Sequence, residues 1–347
     1  MSFPARHIEK LKRGDRVAIL SPSFGAPGAW PHVYQLGLER LQNQFGLKPI
    51  EFSTTTKVGA SPEERAYDLI AAFEDSTIKA VVSSIGGDDQ VTYVKKLPPE
   101  PFIRNPKPFF GFSDNTHFMN FLWLHGVPSY YGGAIFTQFA MQVSMDEYTV
   151  RYLKYAMFEG GKHELLPSTM FNDIGLNWND PHTLTQRRVY EPNDGWFWNA
   201  EHSVEGITWG GCLESIDDIL RHGNPLPSLE QFRNIILMTE TSEEIPSEDY
   251  VFRVYRALGE RGILERIRGV LVGRPKGWEF NKPASTQQKK VYRYLQREAI
   301  LKVVRRYNIQ APVVQNMDFG HTDPQVPMPY GSLIQIDVLK KKIFAYF

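Results

Sequence analysis

Short apolar runs closed by glycine or serine, each followed by a helical pattern, constrain this chain more than any other feature. RVAILSPS (16–23), KAVVSSIGG (79–87) and PFFGFS (108–113) carry little polar alternation before their closing residues. A strand with one wet face alternates apolar and polar residues. An unbroken apolar run means that both faces are covered, as in a parallel sheet packed between helices. YQLGLERLQNQFG, between the first two runs, has helical spacing, so residues 1–158 are expected to form a parallel α/β domain.

The pattern breaks from 159 to 209, which is rich in Asn, Asp, Gly and Pro and holds four of the seven tryptophans: Trp178, Trp196, Trp198 and Trp209. Little periodicity predicts a long crossover, set at 159–205, and its aromatic content argues against a floppy linker. Regular patterns then return over an expected second domain, 206–347. CLESIDDILRHG and YVFRVYRALGERGILERI read as helices, NIILMTE and GVLVGRP as strands, and SLIQIDVL with KIFAYF as a hairpin.

Composition removes whole classes of function. Lys plus Arg and Asp plus Glu are balanced at 39 each, so no net field recruits a nucleic-acid polymer or an anionic membrane. The N-terminal MSFPARHIEKLKRGDRV lacks the apolar core of a signal peptide, and no run of about 18 apolar residues offers a membrane span. The one cysteine, Cys212, excludes an intrachain disulfide framework and a thiolate metal cluster. It is expected as a small core residue rather than a nucleophile. A cytoplasmic protein is the expectation.

Ligands of α/β enzymes gather at the carboxyl ends of strands, and a strand that turns sharply into a helix lifts its turn residue into that crevice. PFFGFS followed by DNTHFMNFLWLHG has this form, with Ser113 at the turn and a helix N-terminus suited to a developing oxyanion. Taken alone the stretch reads first as an N-cap, the usual role of Ser or Asp before a helix, and G-F-S-D-N lacks the second glycine of the usual hydrolase elbow. A nucleophilic serine needs a base held by a third group. Of nine histidines, His321 is the best candidate, because it follows a short apolar run in a loop dense in Gly, Pro and Asp. His117 and His125 fall on the helix after Ser113. The third group is Glu240, at the end of NIILMTE, or one of its neighbours Glu243 and Glu244, any of which could instead belong to a solvated acidic loop.

Eight blocks taken in order, GDRVAILSPS, SSIGGDDQ, GFSDNTH, YYGG, GGCLESI, ILMTETSEE, GVLVGRPKG and MDFGHTDPQVPMPYG, resemble the LD-carboxypeptidase family of serine peptidases over nearly the whole chain. TSEE and FGHTDP are similar to its microcin C self-immunity branch. The resemblance implies Ser113 as nucleophile, Glu240 as orienting acid and His321 as base. It also implies an oxyanion hole from the backbone N–H groups of Gly87 and Asp114, with Gly86 beside it. The implied fold is an N-terminal parallel α/β sandwich domain carrying Ser113 and a C-terminal mainly β domain with helices carrying Glu240 and His321. A homodimer is implied as well.

The activity so implied is that of a serine carboxypeptidase or amidase without metal or other cofactor. The candidate ligands also lack zinc spacing such as H-E-x-x-H. The expected substrate is a small peptide or peptidyl-nucleotide, cleaved at the amide between an aminoacyl or peptidyl group and a nucleotide-like moiety. The alternatives are removal of the terminal D-Ala of murein tetrapeptides and, in another class, a non-catalytic ligand-binding protein. For a nucleobase to stack upon, Trp196 is the first choice on the crossover and Trp178 the second.

Overall fold

The computed structural model describes residues 8–347; the first seven residues, part of the segment expected to lack a signal sequence, lie outside it. Five strands form the parallel core of the first sheet: β1 (Arg16–Leu20), β2 (Lys48–Glu51), β3 (Ile78–Ser83), β4 (Phe109–Gly111) and β5 (Ser129–Tyr131). Their side chains divide by face, apart from a register shift at the start of β3. Val17, Ile19, Ala80, Val82 and Phe110 enter one core cluster, while Ala18, Leu20, Ile78, Val81 and Phe109 enter the other. Helices cover both faces, which is why these strands read as continuous apolar runs.

The second sheet has eight strands. Its centre is parallel, formed by β10 (Val204–Cys212), β11 (Ile235–Glu240), β12 (Gly269–Gly273) and β13 (Val313–Met317). Helices Leu213–Arg221, Glu248–Glu260 and Thr286–Tyr307 make the crossovers. The expected hairpin is present as β15 (Leu333–Asp337) and β16 (Lys342–Tyr346), running antiparallel beside β10.

Three strands cross from one region of sequence into the sheet of another. From the crossover, β6 (Lys162–Leu165) and β9 (Phe197–Asn199) edge the second sheet, and β7 (Met170–Phe171) pairs with β8 (Glu191–Pro192). From the C-terminal region, β14 (Met328–Tyr330) pairs antiparallel with β5 and completes the first sheet in the order β14-β5-β4-β3-β1-β2. The chain is therefore stitched across both sheets. Among the described residues no helix is long and apolar enough to cross a membrane.

Buried charge fixes the crossover in place. Asp173 accepts from Lys289 at 2.6 Å and from Arg293 at 3.0 Å, and Glu191 also pairs with Lys289. Phe171 lies between the guanidinium groups of Arg274 and Arg293, at 4.6 and 4.8 Å. Removing one member of a buried ion network leaves the others charged and without water. Asp173→Ala is accordingly expected to lose about 3–5 kcal/mol of stability in urea denaturation. A loss below about 1 kcal/mol, the range of an exposed pair, would show that the network does not hold the crossover.

Candidate active site

The carboxyl ends of β1, β3, β4, β11 and β13 lead into the loops that converge on one region. β4 stops at Gly111, Phe112 remains extended at φ −154° and ψ −173°, and Ser113 turns to φ +63° before the helix Thr116–Leu124. Left-handed geometry at a non-glycine residue costs on the order of 1–3 kcal/mol and persists only where neighbours enforce it. Here Asn115 Nδ2 donates to the Phe112 carbonyl at 2.9 Å, Thr116 Oγ1 donates to the Ser113 carbonyl at 2.7 Å, and the Ser113 N–H donates to the Tyr131 hydroxyl at 3.1 Å. No side chain caps the turn or the helix it opens. The capping account of Ser113 therefore fails, and its geometry is that of an elbow despite the missing second glycine.

Glycine lines the space in front of the hydroxyl. A Cβ built on Gly86 would lie 2.8 Å from Ser113 Cβ, 3.0 Å from Ser113 Oγ and 3.4 Å from the Asp114 nitrogen. At Gly87, φ is +149° and a Cβ would lie 2.7 Å from that of Ser23. The loop beyond is tied back to the elbow, since Asp114 Oδ2 accepts the N–H groups of Asp89 and Gln90, each at 3.1 Å. Burial pushes the Asp114 carboxyl up to about 6 against the pull of those bonds.

The second sheet supplies an acid and an imidazole. Glu240 ends β11 with 1% exposure; its Oε2 lies 2.7 Å from His321 Nδ1, and its Oε1 accepts from the Tyr131 hydroxyl at 2.5 Å. Side chains are excluded around it: a Cβ on Gly320 would come within 2.4 Å of Glu240 Oε2, and one on Gly273 within 2.7 Å of Glu240 Cβ. The His321 ring packs edge-on against Phe112, the residue before Ser113, at 4.9 Å. Glu243, 53% exposed, places Oε2 3.0 Å from the other ring nitrogen, Nε2. Glu244 is engaged through its backbone, its N–H donating to Ser242 Oγ and its carbonyl accepting from Lys282. The three acids that residue type could not separate thus take three different places.

Burial alone would hold the imidazole neutral, but the carboxylates of Glu240 and then Glu243 overrule it and carry His321 up to about 10. Crowding by the surrounding protein acts to raise Glu243 despite its exposed surface, and the charge on His321 reverses this to bring it down to about 2. With a carboxylate on each ring nitrogen, the arrangement favours the charged form of His321. The exposure of Glu243 leaves its carboxylate room to swing off Nε2. An elevated hydroxyl, an imidazole oriented through Nδ1 and a glycine-lined space beside the hydroxyl are the parts that acyl transfer needs.

The tryptophans separate. Trp196 donates its indole N–H to Asp318 at 3.0 Å and packs on Trp198 at 6.5 Å, within the framework of the second sheet. Asp318 is itself buried and paired with Arg274 at 2.5 Å. Trp178 instead packs edge-on against Trp30 at 5.2 Å and Phe136 at 5.3 Å. Trp30 reaches Phe24, whose Cβ lies 3.4 Å from the Cβ position at Gly87. Trp209 is fully buried. Cys212 is buried too, with its thiol donating to Glu214 at 3.2 Å and pushed well above its usual range by burial and then by Glu214. Among the described residues no three His, Cys, Asp or Glu side chains are grouped to hold a metal ion. Tyr131 and the Asp114 carboxylate escape residue-level analysis, because a tyrosine ending an apolar strand has the pattern of core and an aspartate before a helix that of a cap.

Comparison with known proteins agrees with this architecture. Residues 17–132 match the LD-carboxypeptidase N-terminal domain and residues 205–336 the LD-carboxypeptidase C-terminal domain. The chain belongs to the LD-carboxypeptidase family of S66 serine peptidases. YocD of Bacillus subtilis (strain 168), which carries a carboxypeptidase name, is 26% identical over 96% of each chain. The microcin C7 self-immunity protein MccF of Escherichia coli is 23% identical over 96% of this chain and 93% of its own. Among solved structures, an MccF-like protein of Streptococcus pneumoniae in complex with AMP superposes with a TM-score of 0.82 and 27% identity, covering 96% of this chain and 98% of that one.

The double carboxylate contact on His321 has a titratable consequence. A raised imidazole pKa means that the neutral, proton-accepting form gains population only as pH climbs toward it. Glu243→Gln removes one of the two charges and is expected to move the His321 titration, followed by NMR of labelled histidine, to lower pH by about one unit or more. An unmoved titration would mean that Glu243 does not hold Nε2 in solution.

Proposed function

We propose that Ser113, Glu240 and His321 form the catalytic triad of a serine carboxypeptidase or amidase. One observation carries this most directly: a strained serine at φ +63° faces Gly86 while its preceding residue packs on a histidine bound to a buried glutamate. With Glu243 displaced and the Nε2 proton released to solvent, the neutral imidazole of His321 takes the Ser113 hydroxyl proton on Nε2 as Oγ attacks the substrate carbonyl. The oxyanion is received by the N–H groups of Gly87 and Asp114. His321 then passes its proton to the departing nitrogen, the C–N bond breaks, and water hydrolyses the acyl-enzyme by the same steps in reverse order of partners. Glu240 stays ionised throughout and steadies the imidazolium.

For substrate we favour an aminoacyl or peptidyl group amide-linked to a nucleotide-like moiety. Support comes from relatives of the same fold: the pneumococcal MccF-like protein was solved with AMP, and MccF with glutamyl sulfamoyl guanosine and with aspartyl sulfamoyl adenosine. An aromatic platform suits such a moiety. Trp178, whose cluster reaches the Gly87 loop through Trp30 and Phe24, fits that role better than Trp196, whose indole N–H is committed to Asp318. The second substrate class is the murein tetrapeptide, favoured by the family match itself.

Ser113→Ala, His321→Ala and Glu240→Ala are each expected to lower turnover of aspartyl sulfamoyl adenosine by about a thousandfold or more, with the Ser113→Ala/His321→Ala double little worse than the worse single. Multiplying losses would show that the residues do not act as a unit. Run in parallel on a murein tetrapeptide, with products identified by mass, the wild-type protein decides the substrate class. Turnover of neither would favour a binding protein. Trp178→Ala is expected to raise KM for the adenosine substrate about ten- to a hundredfold, the worth of one stacked base. An unchanged KM would remove Trp178 from the nucleobase subsite.

A further inference from the structure

The hydroxyl of Tyr131 stands at the one point where the nucleophile's backbone and the orienting acid come within reach of a single atom. Tyr131 ends β5 of the first sheet and has no exposed surface. Its hydroxyl accepts from the Ser113 N–H at 3.1 Å and donates to Glu240 Oε1, on the second sheet, at 2.5 Å. Its ring packs edge-on against Phe112 at 6.2 Å. Two residues on, the Gly133 N–H donates to Gln325 Oε1 at 3.1 Å, and Gln325 Nε2 donates to the carbonyl of Gly320, next to His321, at 2.6 Å. One strand end thus holds the serine turn, the acid and the histidine loop.

We propose that Tyr131 is a positioning residue for catalysis, fixing the Ser113 turn through its N–H while dividing the two oxygens of Glu240 between itself and His321. Two consequences follow from the geometry. With the Ser113 N–H turned to Tyr131, the donor left at the elbow for an oxyanion is that of the next residue, Asp114. With Oε1 occupied, Oε2 is directed at Nδ1, so the imidazole has one orientation. Burial, and then the charge of Glu240, push the phenol well above its ordinary range, so it remains a donor at any working pH. The other titratable groups facing this cluster are Cys212 at the end of β10, Glu214 on the following helix, both pushed up chiefly by burial, and Glu243 on the loop after β11.

This inference rests on the proposed triad, and its test is arranged to fail separately. Tyr131→Phe deletes the bond to Glu240 and leaves a more basic carboxylate beside His321. The His321 titration, read by NMR of labelled histidine without any substrate, is expected to move to higher pH. On aspartyl sulfamoyl adenosine, kcat is expected to fall about ten- to a hundredfold with KM within about twofold, because the hydroxyl acts through Ser113 and Glu240 rather than on substrate. A merely structural tyrosine would lower the melting temperature and leave the titration where it was, and that result overturns the proposal. Loss of the titration shift refutes the coupling even if the protein turns over, whereas a shift in a protein that turns over nothing refutes only the substrate. Should Tyr131→Phe not fold, the Cζ resonance of Tyr131 in labelled wild-type protein is expected to move on Glu240→Gln. A resonance insensitive to that change counts equally against the proposal.

Discussion

A buried carboxylate must find a partner for each oxygen or lose more in desolvation than packing returns, and at Glu240 the two partners come from opposite halves of the molecule. Tyr131 belongs to the first sheet and His321 to the loop that follows the last parallel strand of the second. The two sheets are therefore held in a fixed relation at the place where the site lies. Much of the local sequence is explained by that need. Gly273 and Gly320 give Glu240 room to lie between them, and the strand-end position lets a fully buried six-residue strand finish on a charge.

The same carboxylate sets the chemistry of its neighbours. His321 is bound through Nδ1 by Glu240 and through Nε2 by Glu243, and only the first of these contacts is compatible with work as a base toward Ser113. The difference between the two acids is their burial. Glu240 is sealed in the interior, whereas Glu243 is half exposed and can exchange its partner for water. In the proposed triad the Glu243 contact on Nε2 is therefore the one that an entering substrate has to displace. On the other side of the serine, Asp114 contributes its N–H to the space before the hydroxyl and its carboxylate to the loop carrying Gly86 and Gly87.

How far the sequence carries depends on whether a feature is local. RVAIL and IKAVVS announce themselves because strands covered on both faces cannot alternate, and residues 17–20 divide between the two cores as that demands. The turn at Ser113 is legible as a strand running into a helix, yet its left-handed backbone is not, since a serine there reads first as a cap. Glu240, Glu243 and Glu244 are indistinguishable by type and separate only through the family resemblance, while the contacts of Glu240 and Glu243 depend on His321, 81 residues beyond Glu240. β14 joins the first sheet from the far end of the chain, a pairing with no local signature. Nothing in NDGWFWNAEH reveals that Asp318, more than a hundred residues on, takes the indole N–H of Trp196.

The proposed triad makes Ser113 depend for its reactivity on a histidine delivered by the other half of the chain. Intact-protein mass spectrometry after exposure to a small fluorophosphonate measures that dependence without assuming any substrate. The account predicts a single adduct, located on Ser113 by peptide mapping in the wild-type protein and absent from a folded His321→Ala variant over the same interval. Equal labelling of the two proteins, or an adduct on another serine, would contradict it.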